Sequence, residues 1–220
     1  MEKLVSWSFS SLKDFVKCPR KYHETKVLRN YKVSETQAII YGKEVHTACE
    51  LYIKEGKKLP ERFSQFESMM EALNNIKGTK LTEYEFALDK DRKPCGFDSK
   101  SMWVRGIVDL LIIDGNLAYI VDYKTGNDRY ADTDQLKLMA IMTFYHFPNI
   151  KNVKACLLFM VKNRIIKETY KRKDLEKLWE NFEINLHKLK QSFASGTWNP
   201  NPTALCRWCP VESCEYHPEH

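Results

Sequence analysis

Two apolar segments separated by a tight polar turn constrain the fold of this 220-residue chain more than any other feature. Ser101 to Ile113 is rich in β-branched side chains, Leu117 to Lys124 is largely apolar, and Asp114-Gly115-Asn116 stands between them. This pattern predicts a β-hairpin. Asp109 and Asp122 lie among the apolar residues of the two strands. Because burying an unpaired carboxylate is costly, the hairpin requires a cation or hydrogen-bond donors beside them.

With the hairpin included, the helical and strand-like periodicities along the chain follow the order α, three β, α, β. Ser8, Ser10 and Ser11 offer N-cap oxygens for a first helix that carries Leu12, Phe15 and Val16, with Asp14 placed for a capping box. We therefore predict an α/β fold in which helices flank a central sheet. The further predicted helices are Glu35 to Lys54, Thr133 to Tyr145 and Lys173 to Ser192, and the further strands are Leu81 to Leu88, Val153 to Val161 and Arg164 to Tyr170.

The composition is typical of a soluble globular protein, with 43% hydrophobic and 29% charged residues and a mean hydropathy of −0.50. No apolar run reaches the roughly 18 residues of a membrane helix, and Met1 to Ser11 lacks an export signal. We therefore expect a cytoplasmic protein with no membrane partner. Lys and Arg outnumber Asp and Glu by 35 to 29, which favours a polyanionic partner without requiring one.

The acidic hairpin suits a catalytic metal ion. Asp122 and Lys124 lie two residues apart on a predicted strand, so their side chains share one face. Two neighbouring carboxylates repel each other unless a cation lies between them, and oxygen ligands suit magnesium or manganese. The lysine can then orient a water molecule or stabilise charge on phosphorus. The alternative is a surface salt bridge between Asp122 and Lys124, with Asp109 ending a strand.

Both strands carry a recognisable motif. Gly106-Ile107-Val108-Asp109 followed by Asp122-Tyr123-Lys124-Thr125-Gly126 resembles the RecB-like branch of the PD-(D/E)XK nucleases, where a G-x-x-D strand precedes a D-x-K-T-G strand. The resemblance implies a restriction-endonuclease-like core with a mixed sheet and αβββαβ order. It also implies hydrolysis of DNA phosphodiester bonds, with Asp109, Asp122 and Lys124 as catalytic residues. The implied metal ligands are Asp109, Asp122 and the Tyr123 carbonyl.

The second predicted helix contributes a histidine to the same resemblance. Gly42-Lys43-Glu44-Val45-His46 is similar to the G-x-x-x-H motif of that branch, which implies that His46 is a further metal ligand. An imidazole favours manganese while leaving magnesium open. Without the downstream acidic residues, His46 is better interpreted as a structural residue.

Two more positions near the hairpin remain open. Gln135 corresponds to the glutamine of the family's Q-x-x-x-Y motif, which implies contact with DNA or support of the active site, although Met139 stands where the tyrosine is expected. Its alternative is local hydrogen bonding at a helix N-terminus. Glu83 and Glu85 precede the hairpin, and the sequence does not decide whether either joins the site.

The C-terminal cysteines indicate a second metal centre. Cys206-Arg207-Trp208-Cys209 is a C-x-x-C element, and Cys214 follows after four residues. In a chain without an export signal, clustered cysteines favour metal binding over disulfides. The tail beyond Gly196 is too polar to form a core alone, so it requires such an anchor.

Together with Cys18, these cysteines resemble the iron-sulfur ligands of AddB and of the CRISPR-associated RecB-like exonucleases. The resemblance implies a 4Fe-4S cluster that docks the tail on the N-terminal region, and zinc is the alternative. We thus expect one domain over residues 1–220, with residues 1–30 and 196–220 as the cluster region and 35–195 as the catalytic core. His217 and His220 are alternative zinc ligands, and Cys49, Cys95 and Cys156 are interpreted as packing thiols.

These motifs predict a stand-alone exonuclease for single-stranded DNA or exposed DNA ends, in a bacterial, archaeal or virus-infected cell. The resemblance suggests 5'-to-3' polarity. Lys17, Arg20 and Lys21 are candidate phosphate contacts. Since the chain has no Walker motif, unwinding requires a helicase, and recombination or CRISPR proteins are further candidate partners. The alternatives are a structure-specific or nicking endonuclease, and a noncatalytic DNA-binding or assembly module.

Overall fold

The computed structural model describes residues 5–32 and 34–218, apart from the side chain of Tyr130, and places the predicted hairpin in the middle of a sheet. Within the described residues the sheet has five strands in the order β1-β2-β3-β4-β5. All neighbours are antiparallel except β3 and β4, which are parallel. The strands are β1 (Thr79–Asp89), β2 (Met102–Asp114), β3 (Leu117–Lys124), β4 (Asn152–Phe159) and β5 (Arg164–Lys171).

Helices precede, connect and follow these strands. A parallel pair of strands needs a long crossover, and the helix between β3 and β4 provides it. The mixed sheet with flanking helices confirms the predicted α/β fold. The helices are α1 (Phe9–Lys17), α2 (Pro19–Tyr22), α3 (Gln37–Glu55), α4 (Glu67–Asn74), α5 (Asp134–His146) and α6 (Leu175–Ser195), with a π-helical segment at His23–Val27 and 3-10 turns that include Glu61–Phe66 and Ala204–Trp208.

The hairpin strands pair only near their turn. The β2–β3 ladder runs from Asp114 opposite Leu117 to Leu110 opposite Val121. Beyond that point β2 continues beside β1, while β3 continues beside β4 as far as Lys124. The two strands therefore separate where the predicted acidic residues lie.

Residues 36–179 form one compact unit, whose core packs helices against the sheet. Helix α5 is buried around most of its circumference, because it crosses between two strands of the sheet. The turn Glu61–Phe66 and α4 were not predicted, since their apolar residues are isolated within a polar stretch. The buried residues of this hydrophobic core include Val45, Cys49, Phe63, Phe66, Met70, Leu110, Ile112, Val121, Tyr123 and Leu158.

Residues 1–35 and 180–220 form the second compact unit. Ser8 caps α1 as predicted, but its capping-box partner is Ser11, because Ser11 is the third helical residue whereas Asp14 lies a turn further on. Val16 is exposed, unlike Leu12 and Phe15. The predicted bounds of the cluster region, residues 1–30 and 196–220, and of the catalytic core, residues 35–195, stay predictions.

The tail has an apolar anchor that the sequence analysis did not assign. Trp198 stacks on His23 with ring centroids 4.5 Å apart and also contacts Phe15, Tyr22 and Phe193. Val211 further along the tail is fully buried. Aromatic burial therefore fixes the tail to the N-terminal helices of this unit, in addition to any metal ligation.

None of the described helices combines the length and the apolar character that a membrane crossing requires.

Candidate active site

Helix α3 presents His46 to the end of the hairpin. Thr36 caps the helix, while Val45 and Cys49 bury the flank next to His46. The His46 Nε2 atom lies 3.0 Å from the Tyr123 carbonyl oxygen, and Nδ1 lies 3.3 Å from Asp109 Oδ1. His46 therefore links strand β3 to the acidic residue of β2.

Asp109 and His46 satisfy backbone groups that the hairpin no longer pairs. The Tyr123 N–H donates to Asp109 Oδ2 at 2.6 Å, and the Tyr123 carbonyl faces His46. Tyr123 lies beyond the last β2–β3 pair, so both of its backbone groups would otherwise lack a β2 partner. The opening between the strands is thus closed by side chains, which fixes the orientation of Asp109.

Glu83 joins these residues from strand β1. Its neighbours Thr82 and Tyr84 pair with Leu110 and Val108, which places Glu83 opposite Asp109. Its φ of 46° lies in the left-handed region, a strain of about 1–3 kcal/mol for a non-glycine residue. Ligand atoms of His46, Glu83 and Asp109 lie within 4.8 Å of one another.

Between the two glutamates that the sequence left open, the geometry favours Glu83. Glu85 pairs with Ile107 and is exposed. The unusual backbone of Glu83 has no sequence signal, since nothing in residues 81–85 marks a left-handed position. Sequence reasoning therefore could not have chosen between them.

The electrostatics show an excess of negative charge. Burial and the nearby Asp109 carboxylate raise the pKa of Glu83 to about 7. The same two causes raise the pKa of Asp122, although Lys124 opposes the shift. Burial lowers the pKa of His46, but Asp109, Asp122 and Glu83 outweigh it and the net shift is upward. A divalent cation among these oxygen and nitrogen donors relieves the repulsion, so the residues fit magnesium or manganese.

Asp122, Lys124 and Gln135 form a closed network. The Gln135 amide Nε2 donates to Asp122 Oδ1 at 2.6 Å, and Lys124 Nζ donates to Gln135 Oε1 at 3.0 Å. Lys124 Nζ also lies 2.5 Å from Asp122 Oδ2, as an ion pair without hydrogen-bond alignment. The opposite amide orientation would place oxygen against oxygen, so the network selects the orientation of Gln135.

These contacts test two alternatives from the sequence: a surface salt bridge between Asp122 and Lys124, and local hydrogen bonding by Gln135 at the start of a helix. An ion pair joins Asp122 and Lys124, but the Asp122 side chain is only 8% exposed, so it is not a surface bridge. Gln135, the second residue of α5, bonds across to β3 and makes no local capping bond. The network positions the lysine against a buried carboxylate.

The predicted metal ligands are brought together in part. His46, Asp109 and the Tyr123 carbonyl contact one another directly, whereas Asp122 engages Lys124 and Gln135. Among the described residues, Asp122 is not in the group whose ligand atoms lie within 4.8 Å. The assignment of Asp122 as a metal ligand stays a prediction.

Two motif glycines have structural reasons. A Cβ atom at Gly42 would lie 3.1 Å from Thr125 Oγ1, so the glycine lets α3 approach the end of β3. A Cβ atom at Gly106 would overlap the methyl group of Met139. Met139, at the position where the family motif has tyrosine, therefore fills the space above Gly106.

An open cleft of about 770 Å³ is lined by His46 and Glu83. One wall is the face of α3 that carries His46, and the other includes the segment after β3. This volume lies within the usual range of ligand-binding clefts. The lining residues include Tyr41, Gly42, His46, Glu50, Glu83 and Thr125.

The predicted cysteine ligands lie together in the second unit. Cys18, Cys206, Cys209 and Cys214 line one small cavity, together with Arg20, Lys21 and His217, whereas Lys17 is exposed at the end of α1. The Cys18 sulfur accepts hydrogen bonds from the backbone N–H groups of Lys21 and Asn201, at 3.4 Å and 3.5 Å. His220 lies outside the described residues. Cys49, Cys95 and Cys156 do not line the cavity.

The comparisons with known proteins agree with this geometry. The profile of the PD-(D/E)XK nuclease superfamily matches residues 6–77 and 65–214. The chain belongs to the PD-(D/E)XK nuclease superfamily. This confirms the resemblance inferred from the hairpin motifs at the level of the superfamily, and it supports a metal-dependent nuclease that hydrolyses phosphodiester bonds. A search of curated proteins finds no match.

Solved structures share the fold at low sequence identity. A "putative exonuclease" from Eubacterium rectale superposes with a TM-score of 0.56 at 14% identity, over 94% of this chain and 88% of the other. A protein named SSO0001 superposes with a TM-score of 0.50 at 14% identity, over 98% and 89%. At this identity the likeness concerns the fold alone.

The raised pKa values predict how pH acts on stability. Glu83 and His46 keep their protons to higher pH in the folded protein than in the unfolded chain. The stability that this proton binding contributes is therefore lost as pH rises. For Glu83 the loss extends from its ordinary value of 4.5 through about 7. In chelator, the wild type should lose several degrees of unfolding temperature relative to Glu83→Gln across this range.

Glu85→Gln is the matched control, since Glu85 is exposed on the same strand. It should follow the wild type at every pH. Manganese should stabilise the protein more at about pH 8 than at about pH 5, because bound metal displaces the protons. Equal stabilisation at both pH values, or Glu85→Gln matching Glu83→Gln, would contradict the assignment.

Proposed function

We propose that this protein is a metal-dependent DNA exonuclease that degrades unpaired DNA or exposed DNA ends in the 5'-to-3' direction. The observation that carries the proposal is the convergence of His46, Glu83 and Asp109 within 4.8 Å, beside the Asp122–Lys124–Gln135 network. Nucleic acid of this kind arises in recombination, repair and CRISPR-associated processing. Helicase or recombination proteins are the partners that such a role requires.

In this proposal His46, Asp109, Asp122 and the Tyr123 carbonyl hold the metal, with Glu83 as a further carboxylate. A bound manganese or magnesium ion would supply Lewis acidity and lower the pKa of a coordinated water. Ligation needs a free lone pair on one ring nitrogen of His46, so either the Nδ1 contact with Asp109 or the Nε2 contact with Tyr123 must give way to the metal.

Lys124 acts on the reacting groups. Asp122 and Gln135 hold its ammonium group at 2.5 Å and 3.0 Å, so it cannot swing freely into solvent. From this position it orients the attacking water and offsets negative charge that grows on the phosphate. Gln135 is a positioning residue in this scheme, since it binds both Asp122 and Lys124.

The cysteines are proposed to hold a 4Fe-4S cluster. Four thiols on one cavity, with backbone N–H groups aimed at the Cys18 and Cys206 sulfurs, form a donor set suited to a thiolate-bound metal. A zinc ion with bonds of about 2.3 Å spaces its sulfurs by about 3.8 Å. A zinc ion on the same four thiols is therefore the alternative to the cluster.

A DNA substrate is supported by charge as well as by family. Seven basic and two acidic residues lie between Lys13 and Lys32, against a net charge of +6 for the whole chain. Arg20 and Lys21 line the cysteine cavity, and Lys17 is exposed nearby in sequence. This segment is the proposed phosphate track, although Arg20 also lies 3.4 Å from Glu24.

Replacing Lys124 by alanine removes the ammonium group from the network. We expect Lys124→Ala to cleave end-labelled single-stranded DNA about 10³-fold more slowly with manganese, while it stays folded. Lys137→Ala is the control, because Lys137 pairs with Asp134 on α5 outside the network. A Lys124→Ala enzyme as fast as Lys137→Ala would remove the proposed role.

The polarity and the need for an end are tested on matched strands. A 5'-labelled linear oligonucleotide should release labelled mononucleotides or short products from the start, whereas a 3'-labelled one should shorten gradually. Circular single-stranded DNA of the same sequence should persist. Rapid cutting of the circle would establish an endonuclease instead, and DNA retention with no product would establish a noncatalytic module.

The nature of the cysteine centre is tested by metal content after anaerobic purification. Iron, acid-labile sulfide and visible absorption should accompany the wild type and Cys95→Ala, and should be lost in Cys206→Ala. Cys95 is suited as the control because it lies outside the cysteine cavity. Stoichiometric zinc in place of iron would overturn the cluster and establish the zinc alternative.

A further inference from the structure

The loop Leu205 to Cys209, which carries two of the cavity cysteines, exposes two large apolar side chains. Leu205 and Trp208 on the 3-10 turn Ala204–Trp208 are each 69% exposed. Cys206 and Cys209 on the same segment line the cysteine cavity, and Thr203 caps the turn. The loop is therefore anchored while its indole points to solvent. A tryptophan held in water forgoes the stabilisation that burial gives, so a binding role is a physical reason for its exposure.

Arg207 prepares the tryptophan for stacking. Its guanidinium lies over the Trp208 ring, 4.8 Å from the ring centroid. A planar cation on an aromatic ring is a favourable pair, and it adds positive charge next to the ring. Aromatic rings beside arginine are the usual platform for unpaired nucleic-acid bases, because every base has a π face.

The surroundings of the loop carry the charge that DNA requires. Arg20 and Lys21 line the same cavity as Cys206 and Cys209. They belong to the segment Lys13 to Lys32, which holds most of the net positive charge of the chain. Basic side chains around an exposed ring match a single strand, whose phosphates and bases must both be bound.

We propose that Trp208, supported by Arg207, stacks against a base of unpaired DNA while the basic segment around Cys18 binds the adjoining phosphates. This inference rests on the proposed function, since it takes DNA as the substrate. Trp208 belongs to the unit formed by residues 1–35 and 180–220, whereas the cleft is lined by residues of the other unit. The stack is a holding site for the strand and not part of the reacting groups.

Leu205 supplies the matched control. It is as exposed as Trp208 and lies three residues before it on a 3-10 turn, where such positions align. A protein partner docked on this apolar surface would contact both side chains. A base stack needs only the π face of Trp208.

The test is equilibrium binding by the full chain without divalent ions, so that no cleavage occurs. The probes are labelled oligothymidylate and an abasic oligomer with the same number of phosphates. Trp208→Ala should weaken oligothymidylate binding about tenfold, whereas Trp208→Phe should retain most of the affinity. The abasic oligomer should bind wild type and Trp208→Ala equally. Leu205→Ala should match the wild type on both probes.

Three outcomes would overturn the stack: unchanged oligothymidylate binding by Trp208→Ala, an equal loss on the abasic oligomer, or an equal loss in Leu205→Ala. The last result would point to an apolar protein-docking surface. Unaltered visible absorption and unfolding temperature confirm that the cysteine region is intact in each variant. Because binding is measured without cleavage, a failed stack leaves the Lys124 test unaffected, and a failed nuclease leaves the binding result standing.

Discussion

The geometry of the site depends on the point where the β2–β3 ladder stops. After Leu110 and Val121 the strands diverge, and the backbone groups of Tyr123 are satisfied by Asp109 and His46. An unpaired buried amide costs about 1–3 kcal/mol. The side-chain bonds to Tyr123 offset this cost and so allow the two strands to separate. The same contacts therefore stabilise the strand end and orient the proposed ligands.

The crowding of carboxylates opposes this arrangement. Glu83 and Asp122 have raised pKa values because burial and the charge of Asp109 act on them together. Among the described contacts, the ammonium group of Lys124 places a positive charge beside Asp122, and the raised pKa of His46 favours protonation of its ring. They reduce the repulsion without removing it, since a divalent ion would neutralise more charge at a shorter distance. The repulsion among the carboxylates therefore favours the binding of a cation at this site.

The sequence predicted the parts of this fold that follow from local pattern. The turn at Asp114-Gly115-Asn116 and the strand periodicity gave β2 and β3 nearly to the residue, and the spacing of Asp122 and Lys124 gave their common face. Three features had no local signal: the left-handed backbone of Glu83, the end of the β2–β3 ladder, and the tertiary contact that lets Met139 fill the space above Gly106. Each depends on packing between elements distant in sequence, which periodicity does not encode.

The cysteine-bearing tail raises a different physical question, because a 3-10 turn of five residues is not stable alone. Trp198 and Val211 bury apolar area on either side of the turn, and the Thr203 cap fixes its start. Those contacts hold the ends of the tail but leave Arg207 and Trp208 in solvent. Ligation by Cys206 and Cys209 would immobilise the residues on both sides of that pair. On the proposed function, the cluster then reduces the entropy lost when a base stacks on Trp208, which links a structural metal centre to substrate binding without any role in the chemistry.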